Sequence, residues 1–493
     1  MKYFKSILRI AIAAIVLATS AGVAAVTTTS FVLDGADSFF DGELDGTAVH
    51  SDGAVRLGAS TERLDLENVP LAYSVARRGK TVFVGTGTNG IVYQIDGKKV
   101  KQLADTGELL VSSLAFGRDG ALYAGTLPNG VIYRIDPKSG KAKRFSTPKG
   151  VKHVWSLVYD KKRGKLIAGT GPEGKIFTID GVGQTKELFQ ADGSNIMTMA
   201  LDGSDILAGT SDSALLLRIE PNGKATVVRD LPGNEVTAVD VLDGRIAVAV
   251  NQFKGAPGTQ FKGETSGPKP GRRGTRPRPG SGQLWRIEKD GRAEMLMARK
   301  DTHFTDVEWG NNGSIYVAGG QEGRIFEVDA DASYSIWADV DERQILAIDL
   351  RSDAPIFVTG DSGAVYRVLE GTPKNAVWTS KALDAAFLSK WGRLDWRGTD
   401  RFVFQTRSGN TKEPGDTWSA WSKDMKSPGR VSSPPARFIQ VRAKFPKSKE
   451  AELRAMELYY LPQNQRPRVF NVRGMRPPQK PGEPPRQPAP PTT

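Results

Sequence analysis

The chain has 493 residues, with 68 Lys and Arg against 55 Asp and Glu, a formal net charge of +13, no Cys, three His, 54 Gly and 29 Pro. The lack of Cys excludes disulfides, thiolate metal sites, iron–sulfur clusters, a Cys nucleophile and a lipoprotein cysteine, and three His argue against a multi-His metal centre. The length suits two to four domains of about 100–200 residues, or one large repeat fold with an appendage.

Residues 1–25 begin with Lys2, Lys5 and Arg9, continue through an apolar run over 10–17, and reach the small residues Val23-Ala24-Ala25. That order predicts a Sec signal peptide cleaved near Ala25 and a periplasmic or secreted protein. Left uncleaved, the same segment would be a membrane anchor.

From residue 70 a two-strand unit recurs. It reads VFVGTGTNGIVYQID from Val82, LYAGTLPNGVIYRID from Leu122, LIAGTGPEGKIFTID from Leu166 and ILAGTSDSALLLRIE from Ile206. It continues as IAVAV from Ile246 resuming near Leu284, IYVAGGQEGRIFEVD from Ile315 and IFVTGDSGAVYRVL from Ile356. The starts are separated by 40, 44, 40, 40, 69 and 41 residues, and the 69 holds an insertion of about 30, so the period is about 40. An alternating strand with a small central residue precedes most units, as in VSSLAF from Val111 and VWSLVY from Val154, and a more polar strand follows them. Asp-Gly and Asn-Gly pairs mark the hairpins. Four short strands per period, seven times over, predict an all-β fold: a seven-bladed β-propeller over 70–380. The repeats resemble bacterial secreted β-propellers of the broad WD-repeat and NHL-like class, through a blade core of the form GT-x-x-G-x-Y-x-x-D. That resemblance implies the propeller and leaves its function open, because this fold hosts many.

Residues 26–69 lie outside the repeats, and SFFDGELDGTAVHSDGAVRLG within them reads as a hairpin that could complete the second module or cover a propeller edge. Residues 377–461, most of them in a second unit over 381–462, keep a strand pattern without the 40-residue rhythm and hold five of the nine Trp, at 378, 391, 396, 418 and 421. A smaller C-terminal β-sandwich is expected there. It is similar to jelly-roll modules appended to bacterial extracellular proteins, many of which bind sugars; the Trp could stack on a sugar or fill the core. Segments 252–283 and 463–493 are Gly- and Pro-rich, with seven basic residues against one acidic and six against one. Such compositions do not bury enough apolar area to fold alone. With the leader they hold essentially all of the excess positive charge.

Candidate chemistry concentrates where each blade begins. His153, Asn195, Glu235, His303 and Gln344 occupy equivalent positions just before the inner strands of blades three to seven, on the face around the channel mouth. Such a ring could bind a polar ligand, and His with Glu could do acid–base work; equally, these are polar loop ends that cap their neighbours. Asp240, Asp306, Glu308 and Asp349 lie on inner strands and could hold Ca²⁺ or pair with backbone and basic groups. Arg272, Arg273, Arg276 and Arg278 in the insertion could engage an anionic partner. No catalytic motif, cofactor or metal site is recognised, and nucleic acid is not expected. The sequence therefore points to an exported, monomeric, non-enzymatic binding or scaffold protein with a protein or polysaccharide partner. The alternative is a lactonase- or lyase-like propeller enzyme with substrate at the mouth.

Overall fold

The computed structural model describes residues 28–193, 195–254 and 280–463. Seven blades of four antiparallel strands surround an axis, and the inner strand of each packs on the next until the seventh meets the first. The inner strands are Leu71–Arg78, Leu110–Phe116, His153–Asp160, Ile196–Asp202, Glu235–Leu242, Phe304–Trp309 and Gln344–Asp349. Ser60–Asp65, which the repeat pattern leaves in the N-terminal extension, is the fourth strand of blade seven, pairing Leu64 with Val365 and Glu62 with Arg367. Its alternation of half-buried and exposed side chains suits an outer strand, and its distance from the rest of the blade in sequence hides it from a period search.

The recurring residues have separate jobs in packing. Gly209 stands where an added Cβ would lie 2.5 Å from Val236 Cγ1 on the next blade, so the glycine lets neighbouring sheets close on each other. The following Thr locks the turn after the second strand: Thr126 Oγ1 donates to Val131 O at 2.7 Å, and Thr86 Oγ1 donates to Ile91 O at 2.8 Å. Gly90, with φ +59°, then carries the turn against the backbone of Glu108. The aromatic of the third strand is tied to a carboxylate before the inner strand: Tyr366 donates to Glu342 Oε2 at 2.7 Å and Tyr133 to Glu108 Oε1 at 3.3 Å.

All seven inner strands carry a β-bulge at the same register, after Ala72, Val111, Val154, Ile196, Val236, Phe304 and Ile345. A bulge adds one residue and re-aims it; here it is Tyr73, Ser112, Trp155, Met197, Thr237, Thr305 or Leu346. Side chains near it staple blade to blade. Ser74 Oγ donates to Val111 O at 2.9 Å, Thr305 Oγ1 donates to Ile345 O at 2.5 Å, and Ser112 Oγ donates to Val154 O.

Residues 29–57 serve both halves of the molecule. Thr29–Asp34 pairs with Leu453–Pro462, and Glu43–Asp45 pairs with Val377–Thr379. Thr47–His50 joins the outer edge of blade six through Ser335 and Ile336. The C-terminal strands are antiparallel and share one long strand, Leu383–Gly398, whose first part pairs with Ala436–Lys444 and second part with Leu453–Pro462. Trp378 and Trp391 are buried in a core continuous with Phe39, Phe40 and the blade-six residues Phe304, Trp309 and Phe326. The short helix Ala36–Phe40 delivers both Phe side chains to that core.

Candidate functional site

At the mouth the structure places the five ring residues as the repeat predicts, at the start of successive inner strands, and folds most of them inward. Asn195, Glu235, His303 and Gln344 are only 6%, 3%, 3% and 4% exposed, while His153 is half-buried. Asn195 is held on both ends of its amide: Trp155 Nε1 donates to its Oδ1 at 2.9 Å, and its Nδ2 donates to Ser211 Oγ at 3.0 Å. Ser211 in turn forms a backbone bridge with Glu235. The His153 ring lies 5.3 Å from Trp155, its Nδ1 buried without a hydrogen-bond partner. Burial, helped by Lys152, holds its pKa below the usual histidine range, so the ring is neutral at pH 7. His303 packs its ring 4.8 Å from Phe253 and lies directly over Gly320, where a Cβ would sit 2.0 Å from Nε2. Of the five, Asn195 and Glu235 are linked through Ser211, while His153 and His303 each pack against an aromatic ring.

Sequence reasoning missed the floor of this mouth. Trp155, Leu110 and Leu127 form an apolar cluster against which Tyr73 and Met197 pack, joining blades one to four. Burial pushes the Tyr73 phenol up to about 12, with a further push from Glu235 of blade five across the channel. A phenol, an indole and a thioether therefore pack together beside the His153 ring, with Glu235 near enough to act on the phenol, a combination that suits an apolar or aromatic group with a few directional hydrogen bonds. The findable signal was the residue two after each ring position, at the same repeat spacing as His153 and Trp155.

The four inner-strand carboxylates bond to the ring of blades. Asp306 accepts from Val307 N and Ile348 N, both at 2.9 Å; Glu308 accepts from Leu350 N at 2.6 Å; and Asp240 accepts from Trp309 N at 2.9 Å. Arg77 of blade one donates to Asp349 of blade seven at 2.5 Å, closing the circle. Arg351 Nη2 donates to Asp240 at 3.2 Å and lies 3.7 Å from Glu308. Among the described residues no group of three or more His, Cys, Asp or Glu is placed to hold a metal ion.

Arg272, Arg273, Arg276 and Arg278 lie outside the described residues, as do residues 1–25 and 464–493. The two strands that carry the insertion, Arg245–Phe253 and Gly280–Ile287, stay paired up to Phe253 and Gly280, and so end on the mouth face beside His303.

No family model and no curated protein matches the chain. Among solved structures it is similar to a catalytically inactive virginiamycin B lyase from Staphylococcus aureus with quinupristin, at 14% identity and TM-score 0.50, covering 63% of this chain and 99% of that one. It is also similar to the WD40 β-propeller domain of Doa1, at 11% identity and TM-score 0.49, covering 64% of this chain and 98% of that one. The likeness is one of fold. The fold is a β-propeller.

Proposed function

We propose that the chain is an exported, non-enzymatic binding protein that receives a protein partner on the loop face around its channel mouth. The observation that carries this reading is the commitment of Asn195 to the scaffold beside an aromatic and apolar cluster. Asn195 is held between Trp155 and Ser211, and Trp155 belongs to an aromatic and apolar cluster with Leu110, Leu127, Tyr73 and Met197. A lactonase- or lyase-like reaction needs acid–base groups converging on one reacting atom, and His153, turned onto Trp155, is not so arranged. The predicted leader supports export, and the basic insertion leaving this face supports a second, electrostatic hold on an anionic surface.

A photo-crosslinking amino acid at Leu109, a 42% exposed residue on the rim between blades one and two, tests the face used. Adducts to protein are expected there and not from Lys289, which lies in the loop of blade five on the opposite face. Adducts from Lys289 alone would overturn the assignment, and adducts to polysaccharide would replace the partner class. Deleting 254–279 should remove the salt-sensitive part of envelope association and leave the crosslink at Leu109 in place.

A further inference from the structure

The C-terminal domain holds two arginines that its own fold leaves without a counter-charge. Strands Val403–Gly409 and Ala436–Lys444 pair so that Gln405 faces Arg442 and Arg407 faces Gln440. Arg407 Nε donates to Gln440 Oε1 and Arg442 Nε donates to Gln405 Oε1, each at 2.7 Å. Both buried amides are fixed in turn: Gln405 Nε2 donates to Ser422 O and Gln440 Nε2 to Ser380 O, each at 2.8 Å. The two guanidinium groups lie 4.6 Å and 4.2 Å from the ring centre of Trp421, and Arg407 lies 5.8 Å from that of Trp418.

The arginines are half-buried, and among the described residues neither has a carboxylate within ion-pairing distance. Their neighbours do: Arg437 pairs with Asp384 at 2.7 Å, and Asp424 is taken by Lys444 at 2.9 Å. Burial depresses the pKa of both groups, and Arg407 depresses that of Arg442 further; Glu43 and Asp424 oppose this only from beyond contact. Two like charges held side by side, partly desolvated and braced by neutral amides, are costly unless a negative group joins them. Each guanidinium has used its Nε, so its terminal nitrogens remain as a fork of the geometry that receives an oxyanion.

We propose that Arg407 and Arg442, braced by Gln440 and Gln405 over Trp421, form a binding site for an oxyanion, the shared chemistry of carboxylate, sulfate and phosphate groups. The site lies on the C-terminal domain, apart from the propeller mouth, and does not depend on the function assigned there. The test is titration of the full-length protein with sodium sulfate, sodium phosphate and sodium glucuronate at constant ionic strength, followed by tryptophan fluorescence. At least one probe should give saturable quenching that weakens tenfold or more in Arg407→Gln and in Arg442→Gln. Saturation by an inorganic ion identifies a free-anion site, and saturation by glucuronate alone identifies an acidic sugar. Arg442→Lys keeps the charge and stem that cover Trp421 but loses the fork, and it should weaken binding at least threefold with the melting temperature unchanged. No saturable response to any probe, or wild-type binding by Arg442→Lys, would overturn the site and leave the arginines as clamps on Trp421.

Discussion

Asp306 shows how far one side chain in this channel departs from its free behaviour. Burial pushes its pKa up to about 7, Asp240 and Asp349 add repulsion, and the amides of Ile348 and Val307 pull against both. Glu308 is driven to about 7 chiefly by burial as well, with Arg351 opposing. A carboxyl whose folded pKa lies above its unfolded value favours the folded state below the unfolded pKa and loses that advantage as the pH rises through the folded pKa. For Asp306 that window runs from about 4 to 7, and a shift of this size corresponds to roughly 4 kcal/mol at about 1.4 kcal/mol per pKa unit. Asp306→Asn removes the titration but satisfies only one of the two amides. Its stability relative to wild type should therefore rise steadily between pH 4 and 7 and be flat above pH 8, as read from urea midpoints. A parallel pair of pH curves would show that Asp306 is ionised throughout. The sequence located this carboxylate on an inner strand, but not its protonation, which depends on the packing of blades five, six and seven around it.

At the scale of the element, the blade explains its own motif and its exception. Gly209 gives Val236 its place, so Gly209→Ala should cost about 1–3 kcal/mol of stability by overpacking, measured by thermal or urea unfolding. Blades five, six and seven lack the Gly-Thr pair, and blade five reads Ala249-Val250-Asn251 instead. Asn251, one position further on, adds an inter-blade tie of its own: its Nδ2 donates to Phe304 O at 2.7 Å, and its Oδ1 accepts from Phe304 N at 2.8 Å. Asn251→Ala strands two buried backbone groups and should cost at least about 2 kcal/mol, whereas Asn251→Asp should restore only the accepting half. Equal stability of Asn251→Ala and wild type would mean that blades five and six are held by apolar contact alone. The motif was legible because Gly, Thr and Tyr repeat with the period. The bulge and the Glu108–Tyr133 type of tie were not, because each joins residues that a strand pattern treats as unrelated. The mouth was legible in position for the same reason, and illegible in chemistry because Asn195 and His153 turn toward Trp155, a direction set by the bulge.

For the whole molecule, the N-terminal segment has two roles that successive truncations separate. Ser60–Asp65 closes blade seven with six cross-strand pairs, and it is braced by Arg63 on Glu342 at 2.9 Å and by Arg367 on Glu62 at 2.8 Å. Residues 29–57 instead tie blade six to the C-terminal strands: Ser51 N donates to Tyr334 O at 2.7 Å, Arg56 pairs with Glu452 at 2.7 Å, and Phe39, Phe40, Val49 and Val55 lie in the shared core. The sequence could not divide these roles, because pairing residue 64 with 365 or residue 31 with 458 leaves no local period. A chain starting at Thr28 should melt like the full-length protein in one cooperative transition, since every described contact is retained. A chain starting at Ala59 keeps the closing strand but loses the tie, so its melting should split into a propeller step and a separate, lower C-terminal step. That lower step should be visible in near-ultraviolet circular dichroism, where Trp378 and Trp391 report on the uncovered core. A chain starting at Leu66 loses the closing strand too and leaves the third strand of blade seven as an open edge. Its propeller step should fall as well, with rapid proteolysis after residue 343. One shared transition for the Ala59 chain would mean that the propeller and the C-terminal strands are coupled by contacts other than those of residues 29–57.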